Sequence, residues 1–208
     1  MRFLLPVGGI IDHSFGIMTT PGHKGIPMGI KAGMWWAADN QAFTRGFDPD
    51  KFFPWLDGMT PYRNTCLFIP VPDVVGNAAA TLELFTKWRE GSWWPCAFVA
   101  QDGQEALEFP PAELWETLFL GGSSQWKMSD AAVHCIQRAQ ALDKRIHIGR
   151  VNYKRRYDHF AGLPGSERWT CDGTRTRYGR DRALIAWAQY MAAPRQLRLP
   201  VPARDSVG

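Results

Sequence analysis

Three aspartates in this chain each follow a hydrophobic run, and carboxylates can act as acids, bases or nucleophiles. Asp39 follows residues 35–38, Asp73 follows residues 68–72, and Asp172 follows residues 169–171. Carboxylates that share one site raise one another's pKa, so their convergence would indicate a role in chemistry. For Asp73 alone, a turn or helix-cap role is equally compatible with the sequence.

Other polar or flexible residues follow hydrophobic runs in the same way. They are Gln101 after residues 96–100, Gly121 and Gly122 after residues 117–120, and Arg150 after residues 145–149. Enzymes built on barrels of parallel strands collect their chemistry from the C-terminal ends of many strands. The pattern therefore predicts one site assembled from the ends of several strands.

The elements that must position these residues alternate between short apolar runs and segments with helical spacing. The predicted strands are residues 2–7, 33–38, 66–71, 96–100, 117–120, 145–149 and 169–171. The predicted helices are residues 77–89, 111–116, 129–142 and 181–191, and in the third of these Ala132, Cys135, Ala139 and Leu142 would face inward. Strands that alternate with helices imply parallel pairing.

Two parallel architectures fit this alternation, an open doubly wound sheet and a closed barrel. No glycine-rich dinucleotide or phosphate-loop fingerprint follows any of the runs, which disfavours the open sheet. We therefore expect an α/β fold of the reduced (β/α)8 TIM-type barrel. With 208 residues the chain is near the lower limit of about 200 for such barrels.

Length and composition are those of one globular domain, with 45% hydrophobic and 21% charged residues. We expect a single barrel domain over residues 1–193 and a proline-containing C-terminal arm over residues 194–208. The glycine- and proline-rich segment 8–33 is predicted as a loop that could cover the site. No stretch approaches the ~18 apolar residues of a membrane-spanning helix, so no membrane association is expected.

The cysteines and histidines do not have metal-binding spacings. Cys66, Cys96, Cys135 and Cys171 are at least 30 positions apart and lie in or beside apolar runs, so we expect buried thiols in a reduced, cytoplasmic protein. The five histidines lack the pairings of catalytic metal sites, and neither a metal nor a cofactor is predicted. His147, inside a predicted strand, is most simply a hydrogen-bonded core residue.

Positive charge is concentrated late in the chain. Residues 144–182 contain eleven basic and four acidic side chains, whereas the whole chain has a net charge of +4. Such a run can be a solvated surface or the electrostatic footprint of a nucleic-acid-binding protein. As phosphate contacts we single out Lys127, Arg150, Arg175 and Arg177.

Six segments, taken in order, resemble the tRNA-guanine transglycosylase superfamily, and in particular its compact phage and bacterial members that insert 7-deazaguanines into DNA. The segments are Asp39-Asn40-Gln41-Ala42-Phe43, Pro72-Asp73-Val74-Val75-Gly76, Val99-Ala100-Gln101-Asp102-Gly103, Leu118-Phe119-Leu120-Gly121-Gly122, His147-Ile148-Gly149-Arg150-Val151 and Cys171-Asp172-Gly173-Thr174-Arg175. The resemblance spans roughly residues 33–180. Its strength lies in the order of the motifs, since each one alone is weak.

The resemblance implies a (β/α)8 barrel with the activity of a pentosyltransferase. It implies that Asp172 attacks the C1′ carbon of a guanosine nucleotide and that Asp39 handles protons on the leaving and incoming bases. It assigns Asp73, Gln101 and the Gly121-Gly122 amide to the edge of the base. Guanine presents N–H donors beside an oxygen acceptor, and a carboxylate with amide donors would complement them. Trp35, Trp36 and Phe43 are candidate walls for a flipped base, although a core position is the simpler interpretation of each.

The sequence departs from the family at two points. Gln41-Ala42 stands where the family has a glycine pair, and the zinc site of the tRNA-acting members is absent, since no cysteine follows Cys171 and the last histidine is His159. The missing zinc site favours DNA over tRNA as the partner polymer, together with a 7-deazaguanine base. If the chain is encoded by a phage, its location would be the host cytoplasm. A homodimer is compatible with the sequence.

Two other functions remain open at this level. One is a nucleoside or base hydrolase, in which water resolves the covalent intermediate. The other is a catalytically silent barrel that serves as a nucleic-acid-binding partner subunit, and the presence of both Asp39 and Asp172 disfavours it.

Overall fold

The computed structural model describes residues 1–8, 11–89 and 93–173, which lie in a compact unit of Met1–Thr174. They form a closed barrel of eight parallel strands in chain order, with the last strand paired to the first. The strands are β1 (Arg2–Pro6), β2 (Gly16–Thr19), β3 (Trp36–Ala38), β4 (Cys66–Pro70), β5 (Cys96–Ala100), β6 (Thr117–Leu120), β7 (Arg145–Ile148) and β8 (Thr170–Asp172). The predicted TIM-type barrel is confirmed.

Helices and single helical turns connect the strands. The α-helices are α1 (Met28–Lys31), α2 (Ala42–Arg45), α3 (Pro49–Gly58), α4 (Ala78–Arg89), α5 (Ser124–Lys127), α6 (Asp130–Ala141) and α7 (Lys154–Ala161). The 3-10 turns are Thr60–Thr65, Gln104–Ala106, Ala112–Leu114 and Ser166–Arg168. Helix α3 begins where Asp48 accepts a hydrogen bond from the Lys51 N–H and Pro49 occupies the first turn, a favourable start for a helix.

Strand β2 is the main correction to the sequence-based prediction. The segment 8–33 was expected to be a loop over the site, yet it contains Gly16–Thr19, which is hydrogen-bonded between β1 and β3. A side chain at Gly16 would meet Leu4 at 2.5 Å and the Trp35 carbonyl at 2.9 Å, so this glycine allows the strands to approach closely. The same segment also contains helix α1.

The barrel interior is filled by residues that alternate along the strands. A cluster of Leu4, Met18, Ala37, Phe68 and Ala97 lies at its centre. Phe119 packs edge-on against Phe68, with ring centroids 5.9 Å apart. Because side chains alternate across a strand, the residues two positions from these also point into the barrel. The interior is therefore closed in the middle and open to polar side chains at its two ends.

The outer layer confirms some predicted positions and corrects others. Ala132, Cys135 and Ala139 of α6 are buried as predicted, whereas Leu142 lies just past the helix end and is exposed. The predicted helix 111–116 is only the 3-10 turn Ala112–Leu114. All four cysteines are buried, and none of them forms a disulfide.

No helix in the described ranges is both long enough and apolar enough to cross a membrane. The predicted helix 181–191, the boundary at residue 193 and the arm 194–208 lie outside the described residues.

Candidate active site

A cavity of about 470 Å³, here called the upper cavity, opens at the C-terminal ends of the strands. Seven residues that the sequence predicted for the site line it: Asp39, Asp73, Gln101, Gly121, Gly122, Arg150 and Asp172. They come from the ends of six different strands, or from the loops that directly follow them. The structure thus brings together side chains that are up to 133 positions apart, which is 172 minus 39.

Asp172 ends β8 with one carboxylate oxygen held by the protein. Oδ1 accepts a hydrogen bond from the Arg150 backbone N–H at 2.9 Å, and it lies 3.2 Å from His147 Nε2. Within the described part of the chain, Oδ2 has no hydrogen-bond donor, and 18% of the side chain is exposed. One oxygen is therefore oriented, and the other is available to a ligand.

His147 is fully buried inside the barrel, between Phe68 and Phe119, whose rings are 4.8 and 4.6 Å from the imidazole. Its Nδ1 lies 2.8 Å from Thr170 Oγ1. Because an ionised Asp172 can only accept, Nε2 must donate to it, and Nδ1 then accepts from the Thr170 hydroxyl. Burial lowers the pKa of His147 and keeps the ring neutral. The predicted hydrogen-bonded core histidine is confirmed, but its contact with Asp172 was missed.

Asp39 lies one residue past β3, and its backbone N–H donates to the Thr19 carbonyl at 2.8 Å. Its Oδ1 accepts from the Gln41 N–H at 2.8 Å, in a turn where Gln41 has the left-handed φ of 61°. Burial is the main cause that raises the pKa of Asp39 to about 6; the Gln41 hydrogen bond acts in the opposite direction, and the charges of Asp172 and Asp73 add to the rise. A carboxyl with this pKa can both give and take a proton near neutral pH.

Asp73 has both carboxylate oxygens engaged. Oδ1 accepts from Asn40 Nδ2 at 2.9 Å, and Oδ2 accepts from Gln101 Nε2 at 2.6 Å. Burial raises the pKa of Asp73, although both hydrogen bonds act in the opposite direction. The network extends through Gln101 Oε1, which accepts from the N–H groups of Gly76 and Gly122 at 3.0 and 2.9 Å.

This network corrects the predicted base-reading donors. The Gln101 amide and the Gly122 N–H were expected to donate to a base oxygen, but here Gln101 donates to Asp73 and Gly122 donates to Gln101. The Gly121 N–H donates to the Ala100 carbonyl at 2.9 Å. Contact between these donors and a base therefore requires Gln101 to exchange partners.

The glycine pair is required by close packing. At Gly121 a Cβ atom would lie 2.7 Å from Gln101 Nε2 and 3.0 Å from the Ala100 carbonyl oxygen. Gly122 has the left-handed φ of 62°, and a Cβ there would come within 2.4 Å of the Trp126 ring. A side chain at Gly121 would displace Gln101 from the cavity wall, and one at Gly122 would displace the Trp126 ring that packs against it.

Arg150 forms the rim of the upper cavity with Phe43. Its guanidinium carbon lies 3.9 Å from the centroid of the Phe43 ring, and the same guanidinium donates to the Gly122 carbonyl. Arg156 also lines the cavity and donates to the Arg150 carbonyl at 2.6 Å. Of the candidate aromatic walls, only Phe43 lines the cavity. Trp36 is buried in the core, where it donates to the Tyr62 carbonyl.

Lys127 does not lie on a surface that DNA could reach. It is completely buried, its Nζ donates to the Gly149 carbonyl at 2.7 Å, and burial together with Arg150 and Arg156 lowers its pKa to about 7. The predicted phosphate contact is therefore wrong, because a buried ammonium held by the backbone cannot reach a phosphate outside. Of the other predicted contacts, Arg150 lines the upper cavity, whereas Arg175 and Arg177 lie outside the described residues.

Two polar neighbours of the carboxylates were not predicted to contact them. Asn40 positions Asp73, and its place directly after Asp39 was a signal that could have been used. His147 holds Asp172 from inside the barrel. In residues 1–8, 11–89 and 93–173, no group of three or more His, Cys, Asp or Glu side chains could hold a metal ion.

Comparison of the chain with protein-family models, with curated protein sequences and with solved structures finds no match.

Proposed function

We propose that the protein is a guanine transglycosylase that exchanges guanine in DNA for a 7-deazaguanine base through a covalent aspartyl intermediate. The observation that carries the proposal is the convergence of Asp39, Asp73 and Asp172 on one cavity at the C-terminal ends of the strands. Exchange of one base for another with retention at the sugar needs two displacements, hence a nucleophile and a second group that moves protons. The upper cavity offers both.

Asp172 is the nucleophile in this proposal. Its Oδ2 attacks C1′ of the guanosine nucleotide, the bond from C1′ to the base nitrogen breaks, and the electron pair leaves with the base. The resulting ester keeps Oδ1 as its carbonyl oxygen, where the Arg150 N–H and His147 Nε2 remain as donors. These donors also stabilise the carboxylate that re-forms when the incoming base attacks C1′.

Asp39 transfers the protons. In the first displacement it protonates the departing guanine, and in the second it accepts a proton from the incoming 7-deazaguanine. Its raised pKa of about 6 suits both directions, since neither the acid nor the base form is scarce near neutral pH. Its first oxygen is held by Gln41, which leaves the second to face the base.

The upper cavity offers a suitable environment for a base taken out of its stack. Its apolar lining includes Met18, Val99 and Phe119, and its polar lining includes the network around Asp73. Phe43 is 60% exposed at the rim and is stacked on Arg150, so together they present a flat cationic surface. Aromatic and guanidinium planes of this kind stack on bases that leave a duplex.

Positive charge beside the same rim favours a polyanionic partner. Arg150 and Arg156 line the cavity, and the neighbouring Lys154 and Arg155 are exposed on α7. Phosphate contacts of this kind position a nucleic acid without reading its sequence.

A labelled-base exchange assay tests the proposal. Purified protein is incubated with labelled guanine and, separately, with duplex DNA, single-stranded DNA and tRNA. Label is expected in DNA, and Asp172→Asn should abolish its incorporation while the exposed-surface control Asp57→Asn should not.

Three results would contradict it. Label in tRNA alone would show that the substrate is tRNA and not DNA. Abasic sites in place of a substituted base, detected by mass spectrometry, would select a hydrolase. If no polymer gains label or releases its base, the barrel is not a catalyst of this reaction.

A further inference from the structure

A second cavity of about 370 Å³, here called the lower cavity, lies at the N-terminal ends of the strands. Arg2, Thr117 and Arg145 are the first residues of β1, β6 and β7, and Arg168 lies two positions before β8. Strands β6, β7, β8 and β1 are consecutive neighbours around the closed barrel. Their first residues therefore surround one opening, at the opposite end of the barrel from Asp172.

The lower cavity carries uncompensated positive charge. Arg2, Arg145 and Arg168 line it with a single carboxylate, Glu167, which leaves an excess of two positive charges. In the part of the chain that the structure describes, none of the three arginines forms an ion pair. Like charges that share a cavity repel one another, and a bound anion would relieve that repulsion.

Thr117 supplies a second, independent sign of a ligand. The residue is 1% exposed, and within the described ranges no group forms a hydrogen bond with its hydroxyl. Phe119, two positions further along β6, packs against Phe68 and His147 inside the barrel, so the Thr117 side chain also points inward. A buried hydroxyl without a partner is costly, and an oxyanion would accept its hydrogen bond.

We infer that the lower cavity binds a dianionic oxyanion, either inorganic phosphate or the phosphomonoester of a small molecule. The two net positive charges balance the charge of a phosphate dianion. Each guanidinium can donate two parallel hydrogen bonds to a pair of phosphate oxygens. The central cluster of Leu4, Met18, Ala37, Phe68 and Ala97 separates this site from the upper cavity, because Met18 lines the upper cavity and Phe68 the lower one. The site is therefore independent of base exchange.

Calorimetric titration with inorganic phosphate, at an ionic strength held constant with chloride, tests the inference. Saturable binding is expected, and Arg145→Gln or Arg168→Gln should weaken it by about tenfold, the usual effect of losing a hydrogen bond between charged groups. Thr117→Val keeps the shape of the side chain without the hydroxyl and should weaken binding several-fold. Lys51→Gln removes one positive charge from an exposed side chain that lines neither cavity and should leave phosphate affinity unchanged.

A parallel titration separates the two sources of the anion. A nucleoside 5′-monophosphate that binds more tightly than phosphate, while the free nucleoside does not bind, would identify a phosphomonoester site. Equal affinity for the monophosphate and for phosphate would identify inorganic phosphate as the ligand.

Two outcomes would overturn the inference. One is the absence of saturable binding by either anion. The other is anion binding that is weakened by Arg150→Gln but not by Arg145→Gln or Arg168→Gln. That result would show that the anion binds in the upper cavity. Failure of the base-exchange assay would not affect either result.

Discussion

Asp73 and Asp172 line the same cavity but are held in different ways. Both oxygens of Asp73 accept hydrogen bonds from side-chain amides, those of Asn40 and Gln101. Asp172 is held through Oδ1 alone, by a backbone N–H and a buried imidazole. A nucleophile needs an oxygen that is oriented but not occupied, whereas a group that organises a binding surface is best fully engaged. In the proposed mechanism, this difference favours Asp172 for the covalent step and Asp73 for shaping the base site.

The largest expected effect is that of Asp172→Asn. The amide oxygen can still accept from Arg150 and His147, so the fold should persist, but the amide is a poor nucleophile. Base exchange should fall by about 10⁴-fold or more, with DNA affinity retained. Labelled-guanine incorporation and a filter-binding assay measure the two quantities, and residual exchange within tenfold of wild type would remove Asp172 from the covalent step.

Asp39→Asn should have the second-largest effect. Base exchange should fall by about 10²- to 10³-fold, because the proton transfer is lost. In the wild type, the rate of base release should fall as the pH rises through about 6. Above that pH, Asp39 has lost the proton that it donates to the departing guanine. The variant should lack that inflection. A wild-type profile that is flat between pH 5 and 7 would contradict the role of Asp39 as the acid.

The same substitution has an opposite effect on stability. Folding raises the pKa of Asp39 from its ordinary value of 3.8 to about 6, so the folded protein binds the proton more tightly. Wild-type stability is therefore undiminished below about pH 4 and falls as the pH rises through 6. At pH 8 we expect Asp39→Asn to be more stable by about 3 kcal/mol, and at pH 4 to be nearly equal to wild type, as measured by urea unfolding.

Asp73→Asn should have a smaller effect and a different one. The new amide would face the amide of Asn40 or Gln101, so one hydrogen bond is lost and the base site is distorted. We expect a rise of about 10- to 100-fold in the KM for the base, with kcat changed less. Loss of kcat equal to that of Asp172→Asn would erase the distinction between the two carboxylates.

The smallest effect is expected at His147. His147→Leu removes the side-chain donor to Asp172 Oδ1 but leaves the Arg150 N–H, so kcat should fall by about tenfold with KM unchanged. His147→Gln can still donate from its side-chain amide and should restore most of the rate. If both variants unfold at the same urea concentration as wild type but show equal losses of kcat, the hydrogen bond is not what positions Asp172.

Much of the upper cavity could be predicted because its residues directly follow apolar runs. Asp39, Gln101 and Asp172 are the first polar residues at the ends of their strands, and parallel strands bring such ends to one rim. Strand β2 was missed because Gly16–Thr19 lies in a glycine- and proline-rich segment whose composition is that of a loop. Short strands of this kind are defined by their neighbours more than by their own composition.

The contacts between these residues could not be predicted from the sequence. The hydrogen bond between His147 and Asp172 joins residues 25 positions apart on adjacent strands, and it depends on the register of β7 against β8. The burial of Lys127 was equally hidden, because a lysine at the end of a short helix usually faces solvent. The charge of the lower cavity arises at strand starts, where sequence patterns carry little information on function.

Trapping of the covalent intermediate is the sharpest test of Asp172 as the nucleophile. The protein is mixed with a guanine-containing oligonucleotide, denatured rapidly, digested and examined by mass spectrometry. We expect a sugar adduct on the peptide that contains Asp172, none in Asp172→Asn, and loss of the adduct when an incoming base is added before denaturation. An adduct on a different residue, or base exchange without any adduct on Asp172, would contradict it.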